Sequence, residues 1–581
     1  MAAEPSPYPD PRAFDSLTAL LDDVAVRHAG RTILSLRTDE GIQMRWDAAE
    51  LRRRARVAAW RLRALGLKPG DRVLTWSPST PHLPAAYFGA MLAGLIVVPL
   101  DLRMAAEVVQ RIVAKAETDW LLVGTGLDAP DPVAAGLDHV NVRTLDFLIA
   151  DPPTVPSIDD LPFPPDWEAQ LDAWAKPTRA TEWEVIYTSG STGHPKGVVV
   201  THGTFLATLE ACTLILPPRE HRAVSLLPLS HLFEQAPVLM YGSLLIGADV
   251  LYIRSRQPRV IFESLREHQV TTMVVTPQLL ELFWSAIMRE VGKQGKTKLV
   301  ERLRRVARHL PYRARRLLFR RIHAQLGGRL DLFVSAGAFL PPEVQSGWED
   351  LGIVVVQGYG ATECGPASAT SESDHPRANI GRTVPPVRLR LDAVNDEILV
   401  AGPTVTPGYW RDPVATAAVI DDDGWYHTGD IGEIDDQGRL HLKGRLRNII
   451  VLPNGFNVFP EDIENVLDES GISQSVVLET SPGRIEAVVL PPGSLPVISA
   501  STPAPERPTD AEGVAARSAA IDAVIRAANG RLGINARIDG WRLWPEPDFP
   551  RTHTLKIKRD EVRAWVAADA PLPVTEDPAR S

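Results

Sequence analysis

Residues 187–197 read Tyr187-Thr188-Ser189-Gly190-Ser191-Thr192-Gly193-His194-Pro195-Lys196-Gly197, and hydroxyls, glycines and a lysine are packed more densely here than anywhere else in the chain. Glycines let backbone N–H groups turn toward an anion with no Cβ in the way, hydroxyls add donors, and Lys196 adds a mobile positive charge. The stretch therefore reads as a phosphate cradle. A Walker A loop is the rival, but it needs G-x-x-x-x-G-K-[ST] at the start of a helix. Here Pro195 takes the place of the second glycine and Gly197 follows Lys196 where Ser or Thr should stand. The β-branched run Val198-Val199-Val200 follows and Val185-Ile186-Tyr187 precedes, so the loop joins two strands. A flexible Ser/Thr/Gly linker would not be bracketed so closely by apolar strands or end in Pro-Lys-Gly.

Working outward, helical and strand patterns alternate. Residues 48–65 form an amphipathic helix with Leu51, Ala55, Ala58, Ala59, Leu62 and Leu65 on one face, ended by Gly66 and Pro69-Gly70. A strand follows at Arg72-Val73-Leu74-Thr75-Trp76. The uncharged run from Leu83 to Leu100 has the length of a membrane span, but Pro84 and Pro99 bracket it and Gly89 and Gly94 interrupt it, so a soluble helix and then a buried strand are expected. This is the rhythm of a doubly wound α/β domain with a parallel sheet.

The bulk numbers agree with an ordinary globular chain. Its 581 residues are 44% apolar and 23% charged, enough for three or four domains or subdomains. A net charge of -10 argues against nucleic acid as the main partner. Only two cysteines exist, Cys212 and Cys364, far apart and without metal-ligand neighbours, so a reducing, cytoplasmic setting is expected. Residues 1–15 carry four prolines and no apolar signal core, and read as a flexible tail.

Beyond the loop, Thr201 is placed to cap a helix from His202. A strand at 223–227 then delivers His231 to the carboxyl end of a sheet, where ligands of open α/β folds bind. Two further strands, 332–338 and 354–363, end in the small-residue turns Gly337-Ala338 and Gln357-Gly358-Tyr359-Gly360-Ala361-Thr362. Small residues edging a purine, with Tyr359 stacked on its face, would suit an adenine, and Glu363 offers a hard oxygen for Mg²⁺ beside the phosphates. From Pro386 to Leu442 short strands and Asp/Gly turns predict a small antiparallel β subdomain, in which Asp430 could accept hydrogen bonds from a ribose diol. The Asp421-Asp422-Asp423 run reads as turn chemistry. A helix opens at Pro460, residues 491–509 are a Pro-rich insertion, and the chain closes on a basic strand containing Lys556.

Residues 293–321 hold twelve basic side chains against the single acid Glu301, with Leu299, Leu303, Val306 and Leu310 read as one apolar face. Such a segment is either a solvated helix or a surface that docks on anionic lipid. Charges all around the helix favour the first reading.

Taken together, these segments resemble the adenylate-forming superfamily of acyl-CoA synthetases, peptide adenylation domains and luciferases. The likeness runs from about Ser16 to Val566 through six motifs in the family's order. It implies an α/β fold: a large N-terminal AMP-binding domain, residues 16–445, of doubly wound subdomains plus a small β subdomain, then a small mobile α+β C-terminal domain, residues 446–581. By position, Thr188, Ser189, Gly190, Ser191, Thr192, Gly193 and Lys196 match the loop around the β- and γ-phosphates of ATP. Gly337, Ala338, Gln357, Gly358, Tyr359, Gly360 and Ala361 match the adenine wall. Thr362 matches the family's phosphate contact, and Thr188 and Glu363 match its Mg²⁺ ligands. Asp430 and Arg445 match the ribose pair, Arg447 the hinge, His231 a residue near the acyl pocket, and Lys556 the catalytic lysine. A desolvated cation is what the first step needs, because the carboxylate must reach the α-phosphorus of another anion.

The implied chemistry has two steps: an acyl-adenylate forms with loss of pyrophosphate, then the thiol of coenzyme A displaces AMP. The Pro228 to Gln235 stretch and the Thr552 to Arg559 ending look most like long-chain fatty acyl-CoA synthetases. Leu555 stands where most of the wider family has Gly, and Ala361 where Met or Leu is usual. Transfer to a separate carrier protein is the nearest alternative acceptor, and a non-catalytic nucleotide-binding protein is the alternative of another class.

Overall fold

A computed structural model describes residues 8–126, 128–152, 161–188, 195–216, 219–254, 257–453, 457–472, 474–491, 511–552 and 556–568. The chain divides into two compact units, Met1–Arg390 with Leu399–His427, and Leu391–Ile398 with Thr428–Ser581. The boundary read from the sequence, after Arg445, falls inside the second unit.

Among the described residues the first unit holds two large sheets. A six-stranded sheet runs in the order Asn141–Thr144, Trp120–Val123, Arg72–Trp76, Ile96–Leu100, Glu182–Thr188, Lys196–Thr201. Its neighbours are parallel except the last pair, which is antiparallel. A nine-stranded sheet carries Val354–Ala361 beside Leu332–Ala336 in parallel register, with Thr272–Val275, Arg222–Ser225 and Asp249–Ile253 beyond. Parallel strands covered on both faces read as continuous apolar runs, and Ile96–Leu100 is buried at every position.

Side chains nonetheless alternate between two cores, as the strand period of two requires. Val97 and Ile186 of the smaller sheet share one cluster with Val250, Val274 and Val334 of the larger, so a helical layer between the sheets is packed from both sides. Ile96, Val98 and Leu100 point to the opposite face of the smaller sheet, and Met273, Val275 and Phe333 to the opposite face of the larger. Within the shared layer, helix Ala48–Ala64 crosses helix His82–Leu92 through small residues: a Cβ on Gly89 would come within 2.5 Å of the Ala58 Cβ. Gly89, which interrupts the apolar run from Leu83, is therefore a close-approach position. That run is a helix and then a strand, and among the described residues no helix is long and apolar enough to cross a membrane.

The hairpin Tyr426–Ile434 and Leu440–Arg445, which belongs to the second unit from Thr428 onward, sets Asp430 opposite Arg445. Strands Ser475–Ser481, Arg484–Val489 and Gly540–Leu543 form a sheet packed with helices Pro460–Ser470 and Arg559–Ala567, an α+β arrangement around its own two cores. Of the segment 491–509, residues 492–509 lie outside the described residues.

Three expectations change. Pro11–Ala13 forms a 3₁₀ turn capped by Asp10, Pro11 is buried and Phe14 packs on the main core, so the described part of the N-terminal tail is docked through its apolar side chains. The strand expected over 223–227 is Arg222–Ser225. In the basic segment, helix Thr297–Ala307 packs through Val300, Leu303 and Ala307, whereas Leu299 and Val306 are more than half exposed. The true inner face is rotated because Arg304 and Arg308 both reach the fully buried Asp350.

Candidate active site

The mouth of the phosphate loop is fixed by two strands. Thr188 and Lys196 face each other at the last rung of their antiparallel pair, and the Thr188 hydroxyl lies 3.5 Å from the Lys196 carbonyl. Ser189, Gly190, Ser191, Thr192 and Gly193 lie outside the described residues. At the loop's exit the Lys115 ammonium donates to the Pro195 carbonyl at 2.9 Å.

A strap of residues 406–410 joins this mouth to the other sheet. The Trp410 N–H donates to the Gly197 carbonyl at 2.7 Å, and the Val199 N–H to Gly408 at 3.1 Å. The Thr406 hydroxyl lies within 2.9 Å of the carbonyls of Val199 and Gly408, and its N–H donates to the Glu363 carbonyl at 2.7 Å. Tyr409 rides on this strap. Its ring centroid is 5.0 Å from the Lys196 ammonium, and its hydroxyl donates to the Glu363 carboxylate at 3.1 Å. Burial first, and then the Glu363 charge, hold the Tyr409 phenol well above its ordinary range, so it remains a donor. Lys196 and Glu363, on different sheets, are thus linked through one aromatic side chain.

Around Glu363 the backbone is tight. Gly360 packs so closely on the next strand that a Cβ would sit 2.1 Å from the Gly365 carbonyl oxygen. Ala361 and Thr362 are half-buried beside it. In the neighbouring strand Gly337 follows Leu332–Ala336 with φ +87 and open space where a Cβ would be, and Ala338 continues the turn. Tyr359 is half-buried opposite Ser368, at a register shift, and Gly358 pairs with Ala336. Gln357 is the residue of the expected adenine wall whose side chain is most buried. It is 4% exposed and its amide donates to Gln345 at 2.9 Å, because strand alternation turns it toward helix Pro342–Asp350.

His231 stands at the N-terminal flank of the helical turn Leu232–Glu234, and its ring meets Asp101, the residue after strand Ile96–Leu100, at 2.9 Å. Asp101 is 1% exposed; burial would raise its pKa, but His231 and the Arg103 guanidinium together outweigh that and hold it well below the usual range. The pair stands at the carboxyl end of the smaller sheet.

In the second unit the Arg445 guanidinium pairs with Asp430 at 2.7 Å, and Thr428 caps the Asp430 N–H at 3.0 Å. Arg447 is exposed on the 3₁₀ turn Leu446–Asn448. Lys556 is exposed on a tight closure in which its carbonyl accepts from Thr552 and its N–H donates back to the Thr552 hydroxyl at 3.2 Å. The closure is anchored by Arg551, which binds Asp548 and Gln474 at 2.7 Å, and by Arg559 on Glu464.

A family model described as "AMP-binding enzyme" matches residues 21–410, well over half of the chain. The protein is a member of the AMP-binding enzyme family. Among curated relatives, a feruloyl-CoA synthase of Amycolatopsis is 28% identical over 76% of this chain and 79% of its own length. A long-chain-fatty-acid–CoA ligase of Mycobacterium tuberculosis is 27% identical over 92% of this chain and 93% of its own. Among solved structures, ATP-bound MatB of Rhodopseudomonas palustris superposes with a TM-score of 0.70 at 20% identity, covering 95% of this chain and 99% of that one, which is a likeness of fold.

For this AMP-binding enzyme the donor set at Glu363 suits magnesium. Among the described residues no three His, Cys, Asp or Glu side chains gather as a metal cage. Mg²⁺ held largely by nucleotide phosphates needs only one or two protein oxygens, which Glu363 and Thr188 can supply. Sequence reasoning passed over Tyr409, Thr406 and Asp101. The local signal for the first two was Pro407-Gly408-Tyr409-Trp410, which reads as plain turn punctuation until its far partner is known.

Proposed function

We propose that this AMP-binding enzyme is an AMP-forming acid–CoA ligase and that its acid is a long-chain fatty acid. The observation that carries the reading is the Lys196–Tyr409–Glu363 chain. A cation at a phosphate-loop mouth and a carboxylate suited to Mg²⁺ are linked at one place by the strap's aromatic side chain. Lys196 and the loop neutralise the β- and γ-phosphates, which leave as pyrophosphate. When bound, Mg²⁺ shares that charge with Glu363 as its ligand. Asp430, oriented by Arg445, would accept from the ribose hydroxyls. Lys556 supplies the cation for the meeting of carboxylate and α-phosphorus. The fatty acyl reading is supported by the Thr552 to Arg559 ending and by the mycobacterial relative, whose likeness extends over 92% of the chain.

The test is incubation with ATP, Mg²⁺ and a panel of acids that includes palmitate, oleate, acetate and ferulate, with and without coenzyme A, following pyrophosphate and thioester. Pyrophosphate and thioester with the long-chain acids are expected. Pyrophosphate only with ferulate would overturn the fatty acyl reading, and pyrophosphate without thioester would move the acceptor to a carrier protein. No pyrophosphate with any acid would overturn the enzyme.

A further inference from the structure

The basic segment is not charged all around. Of its twelve cations, Arg304 and the half-exposed Arg308 both pair with Asp350, Arg315 donates to the carbonyls of Leu310 and Glu349, and Arg316 donates to those of Leu330 and Gly328. These four are structural. On helix Thr297–Ala307 that leaves Lys298, Arg302 and Arg305 on the outer face, exposed and with no acidic partner among the described residues. Leu299 and Val306 stand on the same face at 53% and 55% exposure, one turn either side of Arg302. On the next helix, Tyr312–Leu318, Leu317 is 75% exposed and lies four residues from the exposed Arg313.

Singly exposed aliphatic side chains are ordinary, and Val26 and Val394 are others on this chain, but Leu299 and Val306 stand together on one helix face among cations that a protein of net charge -10 has no general need of. Aliphatic side chains interleaved with arginines match a bilayer surface with anionic headgroups: the cations meet phosphate and the apolar groups enter the acyl boundary. We propose that the outer face of helix Thr297–Ala307, continued by Arg313 and Leu317, docks this protein on anionic membrane surfaces. Docking would bring the first unit to the phase in which long-chain acids reside, but the inference rests on the surface alone.

The experiment is co-sedimentation of the full chain with vesicles of phosphatidylcholine containing about a third phosphatidylglycerol, and with pure phosphatidylcholine, at low and at physiological salt. Binding to the anionic vesicles only is expected, weakened by salt. Arg302→Glu with Arg305→Glu should lower the partition coefficient by at least about tenfold. Leu299→Ser with Val306→Ser should lower it less at low salt and abolish the binding that survives physiological salt. All four positions are exposed, so unchanged melting temperatures are expected, and no arm depends on turnover. Absence of vesicle binding would overturn the inference, as would binding indifferent to both pairs of substitutions. Retention of a short DNA or RNA duplex by the same arginines without vesicle binding would assign the face to nucleic acid instead.

Discussion

Tyr409 serves two charges with one side chain, and substitutions can part them. Tyr409→Phe keeps the ring beneath the Lys196 ammonium and removes the donor to Glu363. A hydrogen bond to a charged group is worth about 1.5–3 kcal/mol, so pyrophosphate release should fall by roughly tenfold or more, with a raised KM for MgATP. Tyr409→Leu, which also removes the ring, should fall further; equal rates for wild type and Phe would show that the hydroxyl is idle. Glu184 is the opposite kind of residue, a carboxyl with no exposure in the middle of the strand that leads to Thr188. Gln235 donates to its Oε1 at 2.6 Å, and nothing among the described residues reaches Oε2. Burial pushes its pKa up from 4.5 to about 8 against the opposing Gln235 bond, so the folded chain keeps this proton after the unfolded chain has lost it. The contribution to stability is therefore full below pH 4.5 and is lost as pH rises through about 8, at about 1.4 kcal/mol per unit. Glu184→Gln should remove that slope, and melting curves at pH 5.5 and 8.5 should show the variant gaining on wild type from the lower to the higher pH.

At the scale of elements, what could be read in the sequence was whatever is decided within a few residues. Val185-Ile186-Tyr187 and Val198-Val199-Val200 declare strands by β-branching, and Thr201 declares a cap, realised as a reciprocal capping box with Thr204. What escaped is decided by partners far along the chain. The strap 406–410 has no strand pattern of its own, because its hydrogen bonds go to Gly197, Val199 and Glu363. The inner face of Thr297–Ala307 was read from leucine spacing, but Asp350 draws Arg304 and Arg308 inward and rotates the helix. The resemblance gave Gln357 a place in the adenine wall but no direction for its side chain, whose amide goes to Gln345 of helix Pro342–Asp350. Gly360 is the element-scale constraint that composition does reveal. Gly360→Ala would set a Cβ 2.1 Å from the Gly365 carbonyl, which the strand can relieve only by moving the turn that carries Glu363. Adenylation should fall by an order of magnitude or more, with a loss of stability of about 1–3 kcal/mol in urea unfolding. An active, fully stable variant would mean that the turn tolerates that shift.

At the scale of the whole molecule, the residues assigned to one reaction are divided between the two compact units. Thr188, Lys196, Tyr409 and Glu363 belong to the first, while Asp430, Arg445, Arg447 and Lys556 belong to the second. That division fits a two-step reaction whose needs change between steps. While the carboxylate approaches the α-phosphorus two anions must meet, and a cation between them lowers the barrier; when a thiol attacks the neutral acyl carbon of the adenylate, the same cation has no such work. In the proposed reaction Lys556 serves the first step only, and its exposed position on a short anchored closure suits a side chain presented to a substrate rather than packed in a core. Lys556→Ala should therefore lose at least about a hundredfold in pyrophosphate release, about 2.7 kcal/mol of transition-state stabilisation, while thioester formation from supplied acyl-adenylate stays within a few-fold of wild type. Because the substitution is on the surface, melting of the second unit should not change, which separates a chemical loss from a folding one. Equal losses in both half-reactions would mean that Lys556 serves a single fixed site, and the division of labour between the two steps would have to be abandoned.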